Sequence, residues 1–488
     1  MNQSHGERLH QWLAVASGAL LILAFIFGGS SQERGWGTAA VELAALPTLV
    51  LVGWLALGAP RGHRIALGVA MLVLAGVAAQ LLPLPAWFEG GGDVRRPVQE
   101  AWGAAGLGLA DSRISMAPWA TERGLWSLLP ATAAFGAGLL LRVRHKVQLS
   151  WLVTGVICAS LLLGLFLLGA PKDSPLNIYP GFTPRMGGLL ANPNHQGTAL
   201  VIAFSVVVSW LLGTLDKAQP SSRAGFSRVP MVWRRAGALL LAALLLVAVP
   251  LTGSRAMVLI GAGAMLLLPL TTGWLRSQVR RGRSALALAI VSAGVLAATS
   301  LLSAVANWMQ VDSALESRGA LRLATAALAV DAMPAGTGVG AFSPWFDAHL
   351  PISLLQHNFF NHAHNEYVQW WLESGVAGLV WIALLIATMA WAFPRAAIRA
   401  FRRPESPARL GGAGRTDGIP NVVGGWLTGA AWLAVAVLLV HSWVDYPLRT
   451  PALLTVGAWF AGVLVAGTLQ RQAAISPGAR GGRRSSPS

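Results

Sequence analysis

Apolar runs about as long as a bilayer is thick recur twelve times along this chain. They fall at roughly 12–30, 38–58, 64–83, 123–141, 149–169, 194–213, 236–252, 255–275, 284–305, 375–393, 426–446 and 451–469. A helix needs about 20 such residues to cross a hydrocarbon core of about 30 Å. No water is available there to bond a loose N–H or C=O, so only helices or a closed barrel can span. Barrel strands are about 10 residues long and alternate in polarity. These runs are longer and apolar on every side, which predicts helices in lipid. Charged residues make up only 11% of the chain, against about 25% in soluble domains, so a soluble fold is excluded. The formal charge of +17 therefore needs an explanation other than nucleic-acid binding. A disordered basic tail is equally excluded, because 55% of the residues are hydrophobic. The single cysteine, Cys158, lies in an apolar run and allows neither an internal disulfide nor a zinc cluster. The first run is long enough to be kept as a span instead of being cleaved as a signal.

The basic residues orient the chain. With the N-terminus placed in the cytoplasm, the inside segments hold 25 of the 36 Lys and Arg, although the two longest loops lie outside. The bias alternates at nearly every crossing, so both termini are expected in the cytoplasm. The positive charge is then mostly an orientation signal, paired with anionic lipid.

The expected organisation follows from these spans. Residues 1–30 hold the N-terminus and first span; 31–169 hold spans two to five with an outside loop at 84–122; 170–305 hold spans six to nine. A large outside loop covers 306–374, spans ten to twelve cover 375–469 with a cytoplasmic linker at 394–425, and 470–488 form a basic tail. Most loops in compact proteins are far shorter than 306–374. Its aromatic residues and the helix-like apolar spacing of 318–330 and 364–374 predict a partly helical unit folded against the membrane face.

The chemistry-bearing residues gather on the outer side. Arg185 precedes the sixth span, and Arg255 opens the eighth after a turn of only a few residues. An arginine at that depth calls for an anionic partner or for snorkelling to the interface. Its guanidinium suits bidentate contact with phosphate. The stretch HNFFNHAHNEYVQWWLESG is the densest polar cluster. If 363–374 is helical, positions 362, 366, 369 and 373 share one face, with His364 and Asn365 on another. A metal is disfavoured, because helical zinc pairs are spaced i, i+4 and these histidines are spaced i, i+2. A neutral imidazole acting as general base and a structural hydrogen-bonding histidine both remain open. Asp445 follows His441 by one turn in HSWVDYPLRTP; it could orient a base, pair with an Arg or line a proton path. Asn192 and Asn194 flank Pro193, where turn or cap roles are the ordinary expectation.

In the order and spacing of these motifs, the chain resembles the O-antigen ligase and O-antigen polymerase superfamily. The matching features are the Arg185 segment with NPN, T-x-SR at Thr252–Arg255, Arg318 and Arg322 running into Pro334–Gly340, HAHNEYVQWWLESGVAG, and HSWVDYPL. ISMAPWATERGLW resembles a stretch of exopolysaccharide-type members. The resemblance covers roughly 83–465. It implies an all-α polytopic membrane protein of about twelve transmembrane helices, GT-C-like, in the bacterial inner membrane with its active site facing the periplasm. It implies transfer of a glycan from undecaprenyl diphosphate to an acceptor hydroxyl on lipid A-core or on another glycan. No metal, cofactor or nucleic acid is implied; the partners are donor, acceptor and membrane lipids. Carried over residue by residue, Arg185 and Arg255 would grip the donor diphosphate. His364 first and His362 second would be the base. Arg318, Arg322, Asn194, Asn365, Gln369, Glu373 and Asp445 would contact glycan or donor. The rival from another class is a transporter of glycolipid or another solute, against which stands the absence of an inverted repeat.

Overall fold

The structure is a computed structural model. It describes residues 3–32, 35–83, 100–101, 103–106, 113–171, 174–179, 186–215, 229–272, 313–349, 360–399 and 423–475. Within these the chain is helical. Its helices are α1 (Gln3–Phe27), α2 (Trp36–Leu57), α3 (Arg61–Ala79), α4 (Pro118–Leu140), α5 (Val143–Gly169), α6 (Pro193–Leu215) and α7 (Met231–Leu251). They continue with α8 (Arg255–Thr272), α9 (Ser313–Asp331), α10 (Phe342–Ala348), α11 (Glu366–Arg399), α12 (Val423–His441) and α13 (Pro451–Ile475), with a short 3-10 turn at Pro447–Arg449. Eight are long and apolar enough to cross a membrane: α1, α2, α3, α5, α6, α7, α11 and α13. In α8 and α12 the apolar stretches are shorter. The protein is an all-α, multi-pass membrane protein. The ninth predicted run, 284–305, lies outside the described residues, as do most of the linker and the tail.

The helices sort by how much of their apolar surface the protein itself covers. In α6 and α13, 67% of the most apolar stretch is buried, against 11% in α3 and 17% in α11. The first pair forms the centre of the bundle, and the second presents its apolar surface outward, as lipid-facing helices do. Without a hydrophobic drive between helices in lipid, close packing has to come from small residues. Ala133, Ala134, Gly136, Ala137 and Gly138 supply them on α4. There α13 comes so close that a Cβ on Gly462 would strike the Phe135 carbonyl.

One end of the bundle is tied together by backbone and side-chain bonds. Gly29, just past α1, accepts from Ala191 N (2.9 Å), and Gly28 accepts from Ala452 N (3.0 Å). Gln80, at the end of α3, donates to the Glu373 carbonyl (3.2 Å) and accepts from Val339 N (2.9 Å). The segment from α9 to the start of α11 sits at this end with its own small core: Leu321, Ala329, Phe342, Trp345, Phe346 and Leu372.

Two boundaries differ from expectation. The helix expected over 363–374 begins at Glu366, so His362 and His364 precede it. The eleventh predicted span, 426–446, ends at His441, which leaves Asp445 in the turn beyond. α11 is also broken at Gly375 (φ 54°, ψ −133°), where Val376 N donates to the Pro334 carbonyl at 2.9 Å. Only glycine adopts that backbone readily, and a Cβ there would fall on the Pro334 carbonyl oxygen. Gly375→Ala is therefore expected to cost about 3 kcal/mol or more, read as a lowered thermal unfolding midpoint in detergent.

Candidate functional site

The tied end of the bundle carries two adjoining polar clusters. The lower one is an ion triad. Arg449, in the 3-10 turn, places Nε 2.9 Å from Glu366 Oε2 and Nη1 2.9 Å from Glu373 Oε2. Both glutamates are buried, seven residues apart on α11, so two turns of helix present them to one guanidinium. Glu366 also accepts from Leu448 N (2.9 Å), and Gln369 Nε2 donates to Glu373 Oε1 (2.9 Å). Arg449 further lies over the ring of Trp370. The two carboxylates raise Arg449 above the ordinary arginine range, although burial works in the opposite direction. Asn365 caps α11: its Oδ1 accepts from the N–H groups of Tyr367 (3.0 Å) and Val368 (3.1 Å), while its Nδ2 donates to the Trp443 carbonyl (3.0 Å). The turn after α12 and the start of α11 thus form one rigid block.

Above it lies a cluster of imidazoles around Asp445 and Tyr446. Asp445 is buried and accepts from Asn194 Nδ2 (2.7 Å) and Tyr446 N (2.9 Å). His195 Nε2 and His441 Nε2 each lie 3.8 Å from its carboxylate. Burial alone would raise the Asp445 carboxyl; the surrounding histidines, His195 first, outweigh it and hold it well below the usual carboxylate range. His441 Nδ1 is 2.8 Å from Thr198 Oγ1. The Tyr446 ring is ringed by His195, His362 and His364, with centroids at 5.1, 4.4 and 4.9 Å. Burial, then the Asp445 charge, push the Tyr446 phenol up to about 12.

The two histidines of HAHN differ in which nitrogen is committed. His364 Nδ1 lies 3.1 Å from the His362 carbonyl. A carbonyl only accepts, so Nδ1 carries the hydrogen and Nε2 keeps its lone pair. At His362 the partner is the Gln369 amide, 3.4 Å from Nδ1. That amide's oxygen already accepts from Ala363 N (3.1 Å), so its NH2 faces the imidazole. His362 Nδ1 is then an acceptor, and the hydrogen sits on its buried Nε2, which has no partner among the described residues. Burial lowers both rings and favours the neutral form, in His362 reinforced by Arg449. His364 holds a positive φ of 51°, uncommon for a residue with a side chain.

Of the other expected site residues, Arg255 is the first residue of α8. Its helix packs on α6 through Met257, whose sulfur is 3.4 Å from Thr198 Oγ1. Arg318, on α9, is near enough for its charge to act on His364 and Tyr446. Arg322, half-buried, follows one turn on. Gln369 and Glu373, expected to touch glycan or donor, are buried and commit polar atoms to the protein's own bonds. Arg185 lies outside the described residues. No three His, Cys, Asp or Glu side chains among the described residues converge as ligands of a metal ion. Sequence reasoning did not single out His195, Tyr446 or Arg449. The signal was present for each, because His195 adjoins Asn194 in NPNHQG and the other two stand in HSWVDYPLRTP.

Residues 240–383 match the protein family described as O-antigen ligase. Over this stretch, less than a third of its length, the chain is similar to O-antigen ligases. The match supports the resemblance drawn from the motifs and, in broad terms, a membrane glycosyltransferase of the ligase or polymerase type. No curated protein matches the chain. The ligase match includes Arg255, Arg318, Arg322, His362 and His364. Asn194, His195, Asp445, Tyr446 and Arg449 fall outside it, yet they complete the same cluster.

Removing Arg449 leaves two buried carboxylates facing each other without a cation. Arg449→Ala is expected to cost about 3–5 kcal/mol. Arg449→Lys should recover only part of this, because a single ammonium cannot reproduce the forked contact. Thermal unfolding of the detergent-solubilised variants measures both.

Proposed function

We propose that the protein transfers a glycan from undecaprenyl diphosphate to an acceptor hydroxyl, with His364 as general base. The observation that carries this reading is the committed Nδ1 of His364, which leaves Nε2 as a lone pair on a ring packed against Tyr446, within the region that matches the O-antigen ligase family. In the proposed step the acceptor oxygen attacks the anomeric carbon, and His364 Nε2 takes the acceptor proton. The bond from the anomeric carbon to the diphosphate oxygen breaks, and its electron pair leaves with the lipid diphosphate. Arg255, with Arg185, stabilises the charge that collects there; fixed guanidinium groups act most strongly on charge that develops during reaction. In-line displacement inverts the anomeric centre. His362, whose Nδ1 already accepts, serves to hold the HAHN turn and to line the site beside Tyr446. Asp445 favours the protonated imidazole as it forms.

We place the enzyme in the bacterial inner membrane with both termini in the cytoplasm and this site facing the periplasm, on the alternation of Lys and Arg. The acceptor is lipid A-core or a second lipid-linked glycan, and the proposed chemistry calls for no metal. Deletion followed by glycan analysis separates the two acceptors. Uncapped lipid A-core with polymer accumulating on carrier lipid identifies a ligase, whereas single repeat units without long polymer identify a polymerase.

His364→Ala is expected to lower transfer about 10²–10⁴-fold with the protein still in the membrane, in a radiolabelled lipid-linked glycan assay. Retained activity there with loss in His362→Ala would move the base to His362. Arg255→Ala should abolish transfer, and near-normal rates would remove its diphosphate role. Because burial lowers the His364 imidazole from 6.5, the base stays available across neutral pH. Transfer should hold steady down to about pH 6.5 and fall only below it, as the ring gains its proton. An acid limb centred above pH 7 would contradict this assignment.

A further inference from the structure

The opposite end of the bundle holds a second polar cluster that the transfer chemistry does not use. Lys146 lies three residues into α5 and is 97% buried by the protein, with a relative exposure of 3%. Its ammonium has three donors, and the structure satisfies one, through the Leu139 carbonyl at the end of α4 (3.2 Å). Among the described residues no carboxylate pairs with it. Two imidazoles stand close enough for its charge to act on them: His10 on α1 and His63 on α3. Each has a buried Nδ1 with no hydrogen-bond partner among the described residues. Arg142 and Arg144 lie next along the chain; Arg142 engages the half-exposed Glu7 at 3.0 Å, and Arg144 Nε contacts His145 Nε2 at 3.1 Å.

A buried ammonium without a counter-charge is strongly disfavoured, so an anion is what this lysine lacks among the described residues. It also lies at a telling depth. Lys146 and His63 are in the first turn of their spans, and His10 is four residues into the apolar stretch of α1, about 6 Å along its axis. That is the level of lipid headgroups. We propose that Lys146, His10 and His63 form a binding site for the phosphate group of an anionic membrane lipid, wedged between α1, α3 and the α4–α5 turn. Lys146 supplies the charge, the two Nδ1 atoms supply hydrogen bonds, and Arg142 and Arg144 form a basic rim. A lipid held there would tie three helices together at the end of the bundle opposite the transfer site.

The test uses the full-length protein in phosphatidylcholine nanodiscs doped with increasing phosphatidylglycerol, read by thermal unfolding. The wild type is expected to gain stability with the anionic lipid. Lys146→Met should need about tenfold more of it for the same gain. Arg61→Gln, which removes an exposed charge at the same end, should respond like the wild type. Equal responses of wild type and Lys146→Met overturn the site, and an equal loss in Arg61→Gln reduces it to general surface charge. Inorganic phosphate that reproduces the gain in pure phosphatidylcholine overturns the lipid as the source. If Lys146→Met does not reach the membrane, the double variant His10→Phe, His63→Phe takes its place. It is expected to shift the half-point in the same direction, and an unshifted half-point refutes the proposal.

Discussion

A charge removed from water has to meet its opposite, and the rest of this protein's site depends on one such meeting. Arg449 reaches both Glu366 and Glu373 at 2.9 Å. The desolvation cost of three buried ions is offset only when the geometry is good and the remaining lone pairs are bonded. Here Leu448 N and the Gln369 amide take up those lone pairs. The result pins the start of α11 to the turn after α12, elements about 80 residues apart in the chain. His362 and His364, just ahead of α11, are thereby carried to Asp445 and Tyr446, just ahead of Arg449. Asn365 Nδ2 on the Trp443 carbonyl and Glu366 N on the Ser442 carbonyl fasten the same two segments beside the triad.

The same rigidity lets two histidines, two residues apart, differ in character. A carbonyl faces Nδ1 of His364, and an amide NH2 faces Nδ1 of His362. The side chains are chemically identical, and only the atom opposite each ring decides which nitrogen keeps a lone pair. The amide itself is oriented by Ala363 N and Glu373, so the ion triad reaches into the tautomer of His362. Positive φ at His364 fits this picture, since a locally strained backbone survives only where its surroundings over-determine it.

The two ends of the bundle handle polar groups differently. At the site end nearly every buried charge is matched within the protein, and the family match contributes only part of the constellation, with α6 and the turn after α12 supplying the remainder. At the other end Lys146 is buried and, among the described residues, has one hydrogen bond, to the Leu139 carbonyl. The first arrangement makes a frame for chemistry, and the second leaves a cation whose counter-charge the described residues do not supply.

Much of this was legible in the sequence, because the physics involved is local. Run length and all-round apolarity specify membrane helices wherever they occur, and a chain in lipid has few other options. The HAHN cluster, Arg255 and Asp445 stood out because polar groups are conspicuous against an apolar background. Helix starts were less legible: α11 begins at Glu366 because Asn365 caps it, and that cap is held by Trp443, far along the chain. Which polar residues face substrate and which hold the frame could not be read from spacing. Gln369 and Glu373 share a face with Glu366, as the helical period demands, but only the arrival of Arg449 makes that face an internal one. Partners distant in sequence are chosen by packing, and packing is where the tertiary structure decided what the sequence left open.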